Sequence, residues 1–354
     1  MRSNTDSAPV RTGEELDVEA LRTYLNTALG SDRTTLEIGQ FPGGHSNLTY
    51  LIRYGPDEFV LRRPPVGPVA PTAHDMPREY KLLATVHPLF PLAPKPILLC
   101  EDNSVIGVPF YLMERRRGII LRSKVPPEIG DNPSTLRALS RAVVETLIKL
   151  HAVNIYTSGI VHLGKPIGFV GRQVSGWANR WERSKTGELP DMEEVIQWLS
   201  TRIPADDGRG ATIVHNDFKL DNVMLHEQDP TSVAAVLDWE MSTVGDPLID
   251  VGLFLAYWTM TGTETNRSLR AITNAPGWLT REEIIDQYEK ATGRNLSRIV
   301  FYETFARFKV AVVIQQIYFR YVRGQTQDAR FRNLDVMVKQ LAQDALELAQ
   351  RSAI

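Results

Sequence analysis

"VHNDFKLDN", Val214 to Asn222, sets a His, a Lys, two Asp and two Asn at the end of an apolar run that includes Ile213 and Val214. Polar groups at that density, at the mouth of a strand-like segment, call for a chemical reason. The next residues supply one. "VMLH" (Val223 to His226) and "SVAAVLD" (Ser232 to Asp238) are strand-like runs joined by the turn-forming "EQDPT", which predicts a hairpin. A hairpin brings its ends together, so Asp238 is expected to return close to Asn222, and Asp217 lies five residues before Asn222. Taken singly, an Asp or Asn in a loop is ordinarily a turn former or helix cap. Three converging oxygen donors are instead hard ligands of the kind magnesium uses, with one or two carboxylates and the rest of its shell from water and substrate phosphates. The stretch reads as a metal-nucleotide site.

Composition narrows the field. The 354 residues are 43% hydrophobic, enough for one large or two ordinary domains with a substantial core. Forty basic against forty-two acidic residues give a formal charge of −2, so no basic field points to nucleic acid or an anionic membrane. The single Cys100 excludes an internal disulfide and a multi-thiolate zinc site, and "MRSNTDSAPVRTGEELD" lacks an apolar signal core, so a cytoplasmic location is expected. The most apolar run, Ile249 to Met260, is too short to span a bilayer.

Working outward, the texture of the chain changes partway. From Thr34 to Glu114 short β-type runs dominate, "TLEIGQF", "NLTYLIRY", "EFVLRR", "PILLC" and "VPFYLME", separated by Gly, Pro and Asp turns. One helix interrupts them, "MPREYKLLATVH", with Tyr80, Leu83 and Ala84 at helical spacing. Beyond "RRRGIILRSKVPPEIGDNPS" the periodicity becomes helical at Leu136, Leu139, Val143, Leu147 and Leu150. It is helical again in "DMEEVIQWLS", "REEIIDQYEKAT", Tyr302 to Tyr321 and Leu334 to Ala349. The fold class is α+β, with a small antiparallel sheet followed by a larger α-helical region.

The ordered set His215, Asp217, Asn222 and Asp238 resembles the core of protein kinases and, more closely, of the aminoglycoside phosphotransferase-like small-molecule kinases. The resemblance implies a protein-kinase-like two-lobed fold: a nucleotide-clamping lobe over residues 1–114 and a catalytic and acceptor-binding lobe over 115–354. It implies ATP as the phosphoryl donor, with GTP as the alternative, together with Mg2+. Asp217 would then orient or accept the proton of the attacking hydroxyl, Asn222 and Asp238 would bind the metal, and Lys219 would meet the transferred phosphate. Asp250 in "GDPLIDVGLF" corresponds to the Asp that holds the catalytic loop from a following helix, and His215 is a loop brace.

For the nucleotide clamp, "GQFPGGHSNLTY" puts Gly43, Gly44, Ser46 and Asn47 at a turn where backbone amides can approach phosphates. The third strand of the kinase pattern carries a Lys paired with a helix Glu. Here the strand reads "FVLRR", so Arg62 takes the Lys position, with Arg63 beside it, and Glu79 is the helix partner. Backbone groups at Met113, Glu114 and Arg115 would meet the adenine edge. A narrower similarity spans about residues 35 to 260: "GGHSNLTYLI", "REYKLL", "GVPFYLMER", "FVGRQVSGWANRWERSKT" and "VLDWEMSTVGDPLID" resemble the kinase-like domain fused to acyl-CoA dehydrogenases. That branch implies a hydroxyacyl-CoA acceptor. Arg172, Trp177, Arg180 and Trp181 either line the acceptor pocket or pack in the core.

The partner is thus a small molecule bearing a hydroxyl, not a nucleic acid or a membrane. From Val251 to Ile354 there are fourteen basic and ten acidic residues, a balance that disfavours a polycationic acceptor. Two rivals stand beside this reading. One is a nucleotide-binding regulatory module without turnover, prompted by the missing lysine. The other is a metal-dependent hydrolase using His215 and His226, whose spacing matches no helical ligand pair.

Overall fold

Short apolar runs between turn residues organise the first part of the chain. The computed structural model describes residues 6–42, 47–65, 74–157, 159–205, 208–260, 271–326 and 328–352. In it the five runs read as strands form β1 (Leu36–Gln40), β2 (Leu48–Tyr54), β3 (Asp57–Arg63), β4 (Pro96–Cys100) and β5 (Phe110–Glu114). They make one antiparallel sheet in the order β1-β2-β3-β5-β4. The turn from β2 to β3 uses Gly55 at φ +59°, a left-handed conformation that glycine adopts without a side-chain clash, and it sets Tyr54 opposite Asp57.

Two helices and a short turn serve this sheet. The first, α1 (Val18–Ala28), was not legible in the sequence: only Leu21 and Leu25 are buried, so its apolar stripe is thin. They pack with Tyr50, Ile52, Leu61, Phe110 and Leu112. In α2 (Met76–Val86) Asp75 caps the first turn by accepting from the Arg78 amide, and Pro77 sits where its missing N–H is harmless. The buried stripe of α2 is Met76, Glu79, Leu82, Leu83 and Val86, whereas Ala84 is exposed, so the helix faces the sheet with a carboxylate in its apolar stripe. A four-residue helix, α3 (Asn103–Ile106), precedes β5.

The chain divides into two compact units, Met1–Arg117 with Ala234–Glu240, and Gly118–Val233 with Met241–Ile354. In the first unit the segment Ala234–Glu240 is bound by the Val236 amide, which donates to the Leu92 carbonyl at 2.8 Å, and by Trp239, whose ring lies 6.0 Å from that of Phe90.

The second unit is helical: α4 (Pro133–His151), α5 (Phe169–Ser184), α6 (Pro190–Thr201), α7 (Leu248–Trp258), α8 (Arg281–Thr292), α9 (Ile299–Val322) and α10 (Leu334–Arg351). Helix α4 buries the stripe anticipated from its spacing, Leu136, Leu139, Val143, Leu147 and Leu150. Helix α9 is the axle, buried along most of its length and contacted by α5, α6, α7 and α10. Short strands complete the unit: β6 (Ile119–Ile120), β7 (Thr212–Val214), β8 (Val223–Leu225) and β10 (Thr243–Gly245), with β9 (Val233–Val236) leading into the first unit. β7 pairs with β10 and β8 with β6, so the polar loop 215–222 leaves one anchored strand and enters another. The hairpin turn after β8 is closed by the His226 amide on the Ser232 carbonyl at 3.1 Å. Among the described residues no helix is long and apolar enough to cross a membrane.

Helices α7 and α9 touch at backbone distance. A methyl group at Gly252 would lie 2.5 Å from the Tyr302 carbonyl carbon, which cannot swing aside as a side-chain tip could. Gly252→Ala is therefore expected to cost about 1–3 kcal/mol, read as a lower urea midpoint for the helical unit. An unchanged midpoint would show that the helices separate freely.

Candidate active site

The loop after β7 is built around one carboxylate. Asp250, on α7, is fully buried. It accepts from two consecutive amides, His215 at 2.6 Å and Asn216 at 2.7 Å, while His151 Nε2 lies 3.3 Å from its Oδ2. The far nitrogen of that ring is 2.7 Å from the Tyr288 hydroxyl. These bonds hold Asn216 at φ +63°, a left-handed conformation that Asn tolerates better than most residues. The Asn216 side chain donates to the Met241 carbonyl at 3.0 Å, and Ser242 donates to the His215 carbonyl at 3.2 Å. His215 Nδ1 accepts from the Asp217 amide at 3.3 Å, so this histidine braces the loop.

Asp217 emerges from that frame with its carboxylate already engaged. Lys219 Nζ lies 2.9 Å from Oδ2, and Asn222 Nδ2 donates to Oδ2 at 2.9 Å and to the Asp217 carbonyl at 2.8 Å. Three of the residues singled out in the sequence, Asp217, Lys219 and Asn222, are thus brought together. With its nitrogen committed to Asp217, the Asn222 amide has its oxygen as the ligating end. Burial works against the Lys219 ammonium, but Tyr257, whose ring centre is 5.0 Å from Nζ, and Asp217 hold its proton affinity above the ordinary lysine range. Burial pushes the Tyr257 hydroxyl up to about 12.

In the first unit the focus is Arg62. Its Nη1 is 3.1 Å from Glu79 Oε1 and 3.1 Å from Asp238 Oδ1, and its Nη2 is 3.1 Å from Glu240 Oε2. Tyr111 donates to Glu79 Oε1 at 2.8 Å. Burial opposes the Arg62 charge, yet Glu79, Tyr111 and the two other carboxylates drive its proton affinity well above the usual value. Glu79 answers in the other sense: burial raises its pKa while Arg62 draws it down. Arg63, the neighbour on the opposite strand face, donates to the Pro64 carbonyl at 3.3 Å, so of the two arginines it is Arg62 that pairs with Glu79. Asn47 donates to Glu240 at 2.7 Å, and its oxygen lies 2.7 Å from His74 Nδ1. Asp238 sits at φ +66° with its side chain 37% exposed. Asp238 offers hard carboxylate oxygen atoms in this unit, and the Asn222 side chain offers a hard oxygen in the second; each is the donor type that magnesium takes.

Of the residues expected at the adenine edge, Met113 is buried in β5 and paired with Val60. The Glu114 amide is spent on the Lys95 carbonyl at 2.8 Å, and the Arg115 guanidinium pairs with Glu58 and with Asp6 at 2.7 Å. Gly43, Gly44 and Ser46 lie outside the described residues. Trp177 and Trp181 are buried, the latter donating to Glu193 at 3.1 Å; Arg172 donates to the Ile167 carbonyl at 2.6 Å, and Arg180 stacks 4.6 Å above the Trp177 ring. Two participants escaped the sequence reading. Glu240 had a signal, since it lies two residues from Asp238 in "LDWE"; Lys309, whose ammonium meets the Asn216 carbonyl, had none.

The sequence pattern of the phosphotransferase enzyme family (APH) matches residues 37–284, and the chain belongs to that family. Acyl-CoA dehydrogenase family member 11 of Pongo abelii is 35% identical over 357 residues, covering 98% of this chain and 45% of the relative. The chain therefore spans less than half the length of the curated relatives it matches. A crystal structure from Ralstonia eutropha, provisionally described as an aminoglycoside phosphotransferase, superposes with a TM-score of 0.82 at 29% identity, over 96% of this chain and 100% of the other. Spectinomycin phosphotransferase, solved with ADP and spectinomycin, shares the fold at a TM-score of 0.58 and 13% identity, over 95% and 98% of the two chains. The protein-kinase-like fold anticipated from the sequence is the one present.

Asp250→Asn tests the frame. The amide keeps one acceptor but turns an N–H toward a backbone N–H, leaving a buried donor unsatisfied. A loss on the order of 3 kcal/mol in unfolding free energy is expected, and stability equal to that of the parent would remove Asp250 from its anchoring role.

Proposed function

We propose that this member of the phosphotransferase enzyme family moves the terminal phosphoryl group of ATP, or of GTP as the alternative donor, to a hydroxyl of a small molecule. The observation that carries this is the Asp217 carboxylate, oriented by Lys219 and Asn222 on a loop whose backbone is gripped by Asp250. In this reading Asp217 accepts a hydrogen bond from the acceptor hydroxyl and takes its proton as the oxygen attacks the terminal phosphorus. The bond to the bridging oxygen breaks and the nucleoside diphosphate leaves. Lys219 stands beside Asp217 to meet charge on the transferred group. Arg62, anchored by Glu79, would meet the donor's phosphates with the edge of its fork that Asp238 and Glu240 occupy in this structure. Asn222 and Asp238 would hold Mg2+, which supplies charge neutralisation on the phosphates. Catalysis is then chiefly positioning and electrostatics.

For the acceptor, the names of the relatives and the excess of basic residues after Val251 support an anionic hydroxyl compound, with hydroxyacyl-CoA the leading candidate. Opposite charge raises encounter rate and selectivity, so transfer should weaken as salt rises.

Two pairs of variants and one panel test the reading. Asp217→Asn should abolish transfer while keeping magnesium-nucleotide affinity, and Asp238→Ala should weaken both, measured by steady-state kinetics and nucleotide titration. Nucleotide binding without turnover across a broad acceptor panel would favour the regulatory-module alternative. Arg62→Ala should lose on the order of 10-fold or more in transfer, with Arg62→Lys retaining more of it; Ala equal to wild type would take Arg62 out of the site. The panel sets hydroxyacyl-CoA thioesters beside free hydroxy acids and kanamycin-type sugars, and turnover of the sugars alone would overturn the acceptor assignment.

A further inference from the structure

Helix α9 carries a lysine in the core of the second unit. Lys309 is 4% exposed, and its Nζ donates to the Asn216 carbonyl at 2.5 Å. The Trp177 ring centre lies 5.4 Å away, and among the described residues no carboxylate forms an ion pair with it. A buried ammonium facing a neutral carbonyl is costly, and a position that needed only packing would be served by Met or Leu. What the charge supplies is a donor aimed at one backbone oxygen. That oxygen belongs to the peptide joining Asn216 to Asp217, whose preceding amide is held by Asp250. The left-handed residue before the reactive carboxylate is therefore gripped at its N–H from α7 and at its C=O from α9.

We propose that Lys309 is a positioning residue for phosphoryl transfer, holding the Asn216 carbonyl from α9 so that the Asp217 carboxylate is presented in one orientation. This rests on the phosphotransferase reading of Asp217. Lys309 does not itself touch the reacting atoms; it acts through the peptide. The charged groups facing it are Asp217 and Lys219 on the loop, Asp250 on α7 and Arg180 on α5. Burial lowers its pKa to about 8, with the two carboxylates opposing and the two cations assisting.

The grip is thus strongest with the ammonium charged and relaxes as pH rises through about 8. Stability moves the other way. The folded-state pKa lies below the unfolded value of 10.5, so between these two values the folded chain binds fewer protons, and its stability rises with pH there. A lysine that served only the fold would not give falling kcat alongside rising stability.

The experiment compares wild type with Lys309→Met, which keeps the length of the side chain but not the charge, and Lys309→Gln, which keeps a donor. Turnover is followed from pH 6.5 to 10, with urea unfolding and amide hydrogen exchange at residues 215–218 alongside. For Lys309→Met the expected results are kcat lower by about 10-fold at pH 7, the scale of one charge-assisted hydrogen bond, little change in nucleotide KM, no alkaline fall near pH 8, and faster exchange at 215–218. Lys309→Gln should recover part of the rate. Wild-type kcat in Lys309→Met, or a loss of kcat explained by its unfolded fraction, would overturn the proposal. If wild type transfers to no acceptor, the exchange data decide: faster exchange in Lys309→Met at equal global stability supports the grip and leaves the phosphotransferase reading to fall alone, and equal exchange overturns the grip.

Discussion

The grip of one buried carboxylate on two successive amides is the constraint from which the chemistry of this protein follows. Asp250 is fully buried in the core, and its two carboxylate oxygens are met by the His215 and Asn216 N–H groups and by His151 Nε2. Hydrogen bonds from amides to a carboxylate are among the stronger ones available to a backbone. Here they stabilise a residue at positive φ in the position before Asp217, and strain of that kind collects where a side chain must be presented in an uncommon direction.

The first unit solves the mirror problem. There the buried group is a cation, Arg62, and it is met by the anions Glu79, Asp238 and Glu240. A lysine at the same place would be a point charge satisfied by one or two of them, whereas the planar fork of Arg spans all three with fixed angles. The buried guanidinium is thus matched by an acidic surround that its forked shape can use in full. Glu240 is the third of these anions, and it also accepts from the Asn47 side chain, just before β2.

Much of this was legible in the sequence because it is local. Short β-type runs between Gly, Pro and Asp turns gave β1 to β5, helical spacing gave α4, α6, α8, α9 and α10, and His215, Asp217, Lys219 and Asn222 lie within one short loop. The rest depends on pairings across long stretches of chain. Nothing near Arg62 indicates which of two adjacent arginines turns toward Glu79; strand register decides it. Helix α1 escaped because two buried leucines make too faint a stripe. Lys309 escaped because it sits ninety-three residues from Asn216 on a helix with apolar residues all round, where a lysine reads as a surface group.

Counting Ala234–Glu240 with Met1–Arg117 bears on how the chain comes to be folded as it is made. A domain whose sequence is continuous can close as soon as it leaves the ribosome. This one is discontinuous: until Glu240 has been synthesised, Arg62 and Glu79 can meet, but two of the three anions around the guanidinium are still missing. The N-terminal sheet can therefore pair Arg62 with Glu79 early, but it gains Asp238 and Glu240 only after residues 118–233 have been produced. Vectorial synthesis favours N-terminal domains folding first; in this chain the sheet unit reaches its final electrostatic balance only after the polar loop and its hairpin have emerged.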